Sequence, residues 1–154
     1  MDLHELIHES HATMRALLID LETGVPEPSA AREVRLNKLD EALAHYCGAF
    51  EHLIDPALRA RDQDVALAQF SHGHARLRRK VTELRTLGGE EPDARGSYAS
   101  LQDSIAALLR SEEAWLHAAI DDYLPRERSH ELARRWLRDE GHDARAAVGA
   151  AAAM

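Results

Sequence analysis

The sequence predicts an all-α fold: an up-down-up-down four-helix bundle followed by a short fifth helix. Three observations lead there. Apolar residues recur in steps of three and four along four long segments. Glycine- or proline-bearing stretches separate most of those segments. Aromatic residues are only 5% of the chain, so leucine and alanine must fill the core, and they favour helix packing over a sheet. No segment with a two-residue period competes.

The first helix is expected from Leu3 to Glu22. Asp2 and Glu5 have the spacing of a reciprocal cap, and Leu3, Leu6, Ile7, Met14, Leu17, Leu18 and Leu21 share a face. Gly24 and the Val25–Pro28 stretch stop it. The second helix runs from Ser29, as N-cap, to about Asp55, with Leu36, Leu39, Leu43, Tyr46, Phe50 and Leu53 as its apolar line. Pro56 should end or kink it. The third runs from Asp64 to Leu87 on Leu67, Phe70, His74, Leu77, Val81 and Leu84. A loop follows over residues 88–96. The fourth runs from Ser97 to Tyr123, with Leu101, Ile105, Leu108, Glu112, Trp115, Ala119 and Tyr123 near one line, and Pro125 ends it. A fifth helix is expected from His130 to Asp139, started by Ser129 and stopped before Gly141; its Trp136 is available to the bundle or to a partner. The alanine-rich tail is frayed helix or disordered. The organisation is therefore a bundle over residues 1–126 and a helix with a tail over 127–154.

At 154 residues the chain is long enough to bury one core. Its net charge of −8 disfavours nonspecific binding to nucleic acid or an anionic membrane. No apolar run approaches a membrane span. Cys47 is the single cysteine, which fits a reducing compartment, and the acidic, histidine-bearing start does not read as a signal peptide. A cytoplasmic location is the expectation. No His/Cys spacing fits a zinc finger, no glycine-rich loop could cradle phosphate, and Ser10 and Ser71 lie near histidines without forming a triad.

Ten histidines make a metal worth considering. Glu112 falls on the core face of its helix, and a buried carboxylate needs a partner; His74 and His11 are the candidates. Together they form either a metal-ligating set, with Tyr46 nearby, or a hydrogen-bonded pair inside a closed core. His4, His8 and His11 form an i, i+4, i+7 row that could hold zinc or nickel or simply face solvent. Cys47 sits at the edge of its apolar face as a small packed residue.

Four motifs resemble those of the hemerythrin-like, or HHE cation-binding, family. They are H-A-T-M-R-A-L-L-I-D-L from His11, A-F-E-H-L-I-D-P-A-L before and around Pro56, H-A-R-L-R-R-K-V-T-E-L from His74, and A-W-L-H-A-A-I-D-D-Y-L-P up to Pro125. The resemblance covers about residues 1–126. It implies a four-helix bundle holding non-haem iron, with dioxygen, nitric oxide or peroxide handling or redox sensing. The family places a histidine ten residues, and a glutamate six residues, before each closing proline. Those positions here are Tyr46 and Phe50, then Trp115 and Ala119. The resemblance therefore implies a site reduced to His11, His74 and Glu112, with Tyr46, Phe50 and Trp115 plugging the former cavity. His45, His117 and Asp121 are auxiliary candidates from a shifted register, although His45 and His117 point about 130° from their apolar faces. Three functions stay open: a binding or regulatory module that has lost its di-iron centre, a non-haem metal protein, and a binder of a small organic molecule in the former cavity. No catalytic residue is assigned. A homo-oligomer or a protein partner would use the Trp136 helix.

Overall fold

A computed structural model of the chain describes residues 1–23, 29–87 and 94–153. Among them every regular element is helical. The elements are α1 (Leu3–Thr23), α2 (Ser29–Ala49), a π-helical turn (Phe50–Ile54), α3 (Asp55–Arg59), α4 (Asp64–Leu87), α5 (Ala94–Tyr123) and α6 (Arg126–Ala152). The loop expected at residues 24–28 and most of the one at 88–96 lie outside the described residues; Ala94 to Gly96 already belong to α5.

The start of α1 is the reciprocal cap the sequence predicts. The Asp2 backbone N–H donates to Glu5 Oε2 at 2.8 Å, and the Glu5 N–H donates to Asp2 Oδ1 at 2.9 Å. The apolar lines expected on α2 and α4 are buried throughout, and His74 is buried within the second of them. On α5 the line drifts: after Ile105 the core takes Leu109, Glu112, Leu116, Ala119 and Ile120, so Leu108 and Trp115 stand on the flank and Tyr123 is exposed. Leucine at both 108 and 109 let either register satisfy the periodicity.

Pro56 does not end the second helix. The chain widens into the π turn before it, where the Asp55 N–H reaches back to the Phe50 carbonyl, five residues earlier. Helix then resumes as α3 with Pro56 in its first turn, where a missing N–H costs little. Arg59 closes it with a two-pronged grip on Asp55, at 2.8 and 3.1 Å. Asp62 takes a left-handed conformation (φ 61°) in the turn to α4.

The fifth helix is much longer than His130 to Asp139. Pro125 stands at its N-cap, the Ser129 N–H donates to the Pro125 carbonyl, and the alanine-rich tail stays helical to Ala152. Alanine's propensity outweighs Gly141 and Gly149, each worth roughly 1 kcal/mol against the helix.

Helix α1 packs on α2 and α5, and α4 packs on α2 and α5, so these four helices close a ring. Side-chain pairs between α1 and α5 run in opposite directions, from His4–Asp121 to Arg15–Glu113. So do those between α4 and α5, from Phe70–Trp115 to Lys80–Ser104. Helix α6 lies against α1 and the π turn, and its Leu132, Ala133 and Trp136 join the common core. Trp136 is 2% exposed, so of the two expected uses its side chain takes the one within the bundle. No described helix is long and apolar enough to cross a membrane.

Candidate functional site

Three helices bring an ionisable group into the centre of the ring. Tyr46 comes from α2, His74 from α4 and Glu112 from α5, each one on its helix's inner line. Glu112 is fully buried. The Tyr46 hydroxyl donates to its Oε1, and His74 Nε2 lies 2.7 Å from its Oε2. Burial alone would lower the His74 pKa, but hydrogen bonds with Cys47 and Glu112 outweigh it and lift it to about 9. His74 is thus an imidazolium at neutral pH, donating to Glu112 on one side and facing the Cys47 thiol on the other. Burial, and then the Glu112 charge, push the Tyr46 hydroxyl well above its usual range, so it remains a donor. Phe50 closes one side, its ring edge-on to His74 at 4.8 Å, and Trp136 closes another, 6.1 Å from the Tyr46 ring.

His11 reaches the same region from α1. Its ring meets Tyr46 edge-on at 4.8 Å, and it is fully buried. Burial, the largest influence, lowers its pKa and keeps it neutral. Its Nδ1 faces Glu113 Oε2 at 3.3 Å, which places the single proton there. Its Nε2 has no hydrogen-bond partner among the described residues. The result is a bare imidazole lone pair inside the protein.

A second polar group lies outside the first, along the α1–α5 seam. Glu113, next in sequence to Glu112, points to this side. It accepts from Arg15 at 2.9 Å, faces His8 at 2.8 Å, and lies 3.6 Å from His117 Nε2. Burial would raise its pKa, but the hydrogen bonds from His8, Arg15 and His11 prevail and bring it down to about 2. Further along, His4 and His117 face each other through their Nδ1 atoms, and His4 Nε2 lies 2.9 Å from Asp121 Oδ1.

His11, His74 and Glu112 therefore share one region, with Tyr46 and Phe50 among them. The auxiliary residues do not join it. His117 and Asp121 belong to the seam, because they fall on the side of α5 that faces α1. His45 is exposed on α2 and lines a surface groove of about 250 Å³ between α2 and α6, with Gly48, His52, Trp136 and Asp139. Trp115 is half-buried against the core and packs on Phe70 at 5.3 Å. Sequence reasoning missed Glu113 and treated His4 and His8 by themselves. Facing i, i+4 pairs, His4/His8 on one helix and Glu113/His117 on its neighbour, were the available signal.

Do these residues fit a di-iron centre? Both Glu112 oxygens are committed to protein donors, His74 Nε2 is turned to one of them, and of this set only His11 offers a nitrogen without a partner among the described residues. The set does not fit as arranged. Among the described residues no three His, Cys, Asp or Glu already stand around a common point as ligands do. Compared with family models, with curated proteins and with solved structures, the chain has no significant match.

Proposed function

We propose that this chain is a hemerythrin-like, up-down four-helix bundle in which a side-chain network, Tyr46–Glu112–His74, stands where the family keeps its di-iron centre. It acts as a binding or regulatory module, and its centre is a structural element. One observation carries this reading: Glu112 is fully buried and each of its carboxylate oxygens already has a protein donor. A ligating carboxylate needs an oxygen free. The ring of four helices and the opposed direction of their side-chain pairs support the bundle topology.

The test is ligand-linked stability. A group that binds only the native state raises the melting temperature in proportion to its concentration over its Kd. Chelator-treated protein should melt at the same temperature with and without added Fe²⁺ under anaerobic conditions. A rise that grows with iron and vanishes in His74→Ala would overturn the proposal.

The bare Nε2 of His11 favours a second reading. Here a single non-haem metal, iron first, binds His11, His74 and Glu112 once His74 gives up its proton, and the protein handles dioxygen, nitric oxide or peroxide or senses redox state. Imidazole and carboxylate donors suit such an ion. The same melting experiment separates the two readings.

A further inference from the structure

We propose that the groove where α1, α5 and α6 meet is a binding site for a small aliphatic α-amino acid, held as its zwitterion. Arg126 and Ser129, at the start of α6, take the carboxylate. Asp2 and Asp121 take the ammonium, and Ile120 and Leu124 face the side chain. The site lies outside the inner Tyr46–Glu112–His74 group, so its occupancy does not depend on whether iron binds there.

Spare hydrogen-bond donors gather in this groove, which has a volume of about 360 Å³ and opens to solvent. Ser129 lines it and is only 9% exposed. Its backbone N–H donates to the Pro125 carbonyl. Its hydroxyl has no partner among the described residues and is not sealed from the groove. A polar group so nearly buried is normally hydrogen-bonded. The first turn of α6 adds to the surplus. Pro125 stands at the N-cap and has no side chain that could accept from the first-turn N–H groups. Those N–H groups and the helix dipole favour a carboxylate there. Arg126 shares a helix face with Ser129 and also lines the groove. It has no ion-pair partner among the described residues, whereas nearby Arg128 is held by Glu131 at 2.6 Å. The hydroxyl, the helix end and the guanidinium all lack one acceptor that carries negative charge.

Two acids in the same groove limit that charge and call for its opposite. Asp2 and Asp121 both line it. Each commits one oxygen: Asp2 Oδ1 accepts from the Glu5 N–H at 2.9 Å, and Asp121 Oδ1 lies 2.9 Å from His4 Nε2. The second oxygen of each has no partner among the described residues. Two carboxylates repel a phosphate or a dicarboxylate and attract an ammonium. A ligand with one negative and one positive group close together satisfies both demands. An α-amino acid is the simplest such molecule.

The rest of the lining selects an aliphatic side chain. Ile120 and Leu124 are buried core residues that give the groove its apolar surface. An aliphatic group resting on them is removed from water. His4 is engaged by Asp121, which leaves the exposed His130 as a further donor beside Arg126. A concave apolar surface with a few placed polar groups is the usual form of a small-molecule site.

The experiment is a calorimetric titration of the full-length protein with L-alanine, L-valine and L-leucine. Each is compared with its analogues lacking the amino or the carboxyl group, isocaproate and isoamylamine in the case of L-leucine. The expected result is one saturable site for at least one amino acid, with both of its analogues weaker by at least about tenfold. Ser129→Ala and Arg126→Gln should each weaken the amino acid by at least about tenfold. Alanine is the better helix former at 129, so that variant keeps its fold. Asp121→Asn should weaken the amino acid and leave the carboxylate analogue unchanged. Absence of saturable binding by all three amino acids would overturn the proposal. So would a carboxylate analogue that binds as tightly as its amino acid, which would make this a site for simple carboxylates. Binding indifferent to both Ser129→Ala and Arg126→Gln would put the ligand elsewhere and overturn it as well.

Discussion

Tyr46 is the residue on which the inner network turns. Its hydroxyl is one of two donors to a fully buried carboxylate. Tyr46→Phe leaves that oxygen without a partner, and we expect a loss of about 1–3 kcal/mol in urea denaturation. In a Glu112→Leu background the same change should cost much less, because the acceptor has gone. Two titrations follow from the shifted groups. His74 keeps its proton to about pH 9 in the folded protein, against 6.5 for an ordinary histidine. The folded state then binds more protons between those values, so its contribution is complete below 6.5 and is lost as pH rises through 9. Stability should fall across that window, and His74→Gln should flatten the slope. Glu113 behaves in the opposite sense, titrating at about 2 against 4.5, so its contribution is present above 4.5 and is lost as pH falls through 2. At this scale the sequence was informative where chemistry conflicted with periodicity. A glutamate and a histidine on apolar lines marked Glu112 and His74 as partners. Glu113 carried no such conflict, since its role depends on which helix lies beside α5.

Helices α4 and α6 show how local propensity and packing divide the work. Gly141 has open space where a Cβ would go, so Gly141→Ala should stabilise α6 by about 0.5–1 kcal/mol, read from the thermal melt. At Gly73 a Cβ would come within 2.8 Å of a Leu108 methyl, so the same propensity gain is offset unless Leu108 rotates. Trp136 is the anchor of α6. Trp136→Ala should cost about 3–5 kcal/mol, visible as a lowered urea midpoint. Most boundaries were legible, because capping residues and apolar spacing act locally. The extent of α6 was not, since a glycine followed by an alanine-rich tail reads equally as a stop or as continued helix. The π turn was also hidden: Pro56 announced a disturbance, but its form depends on keeping Tyr46, Phe50 and Leu58 all inward, which is a tertiary demand.

At the scale of the molecule, α1, α2, α4 and α5 form a ring whose centre is closed by hydrogen bonds between side chains, with a second, more accessible polar seam on one flank. The all-helical architecture was readable from periodicity and composition. The division of the described histidines between a buried centre, a seam and the exposed surface was not, because it depends on how neighbouring helices are rotated against each other. The central claim is that the inner network takes the place of a metal centre. It is tested most directly by the metal content of untagged protein grown in iron-supplemented medium, measured by plasma mass spectrometry for the wild type and His74→Ala. We predict no near-stoichiometric iron or manganese in either. Near-stoichiometric iron or manganese in the wild type, lost in His74→Ala, would contradict the account.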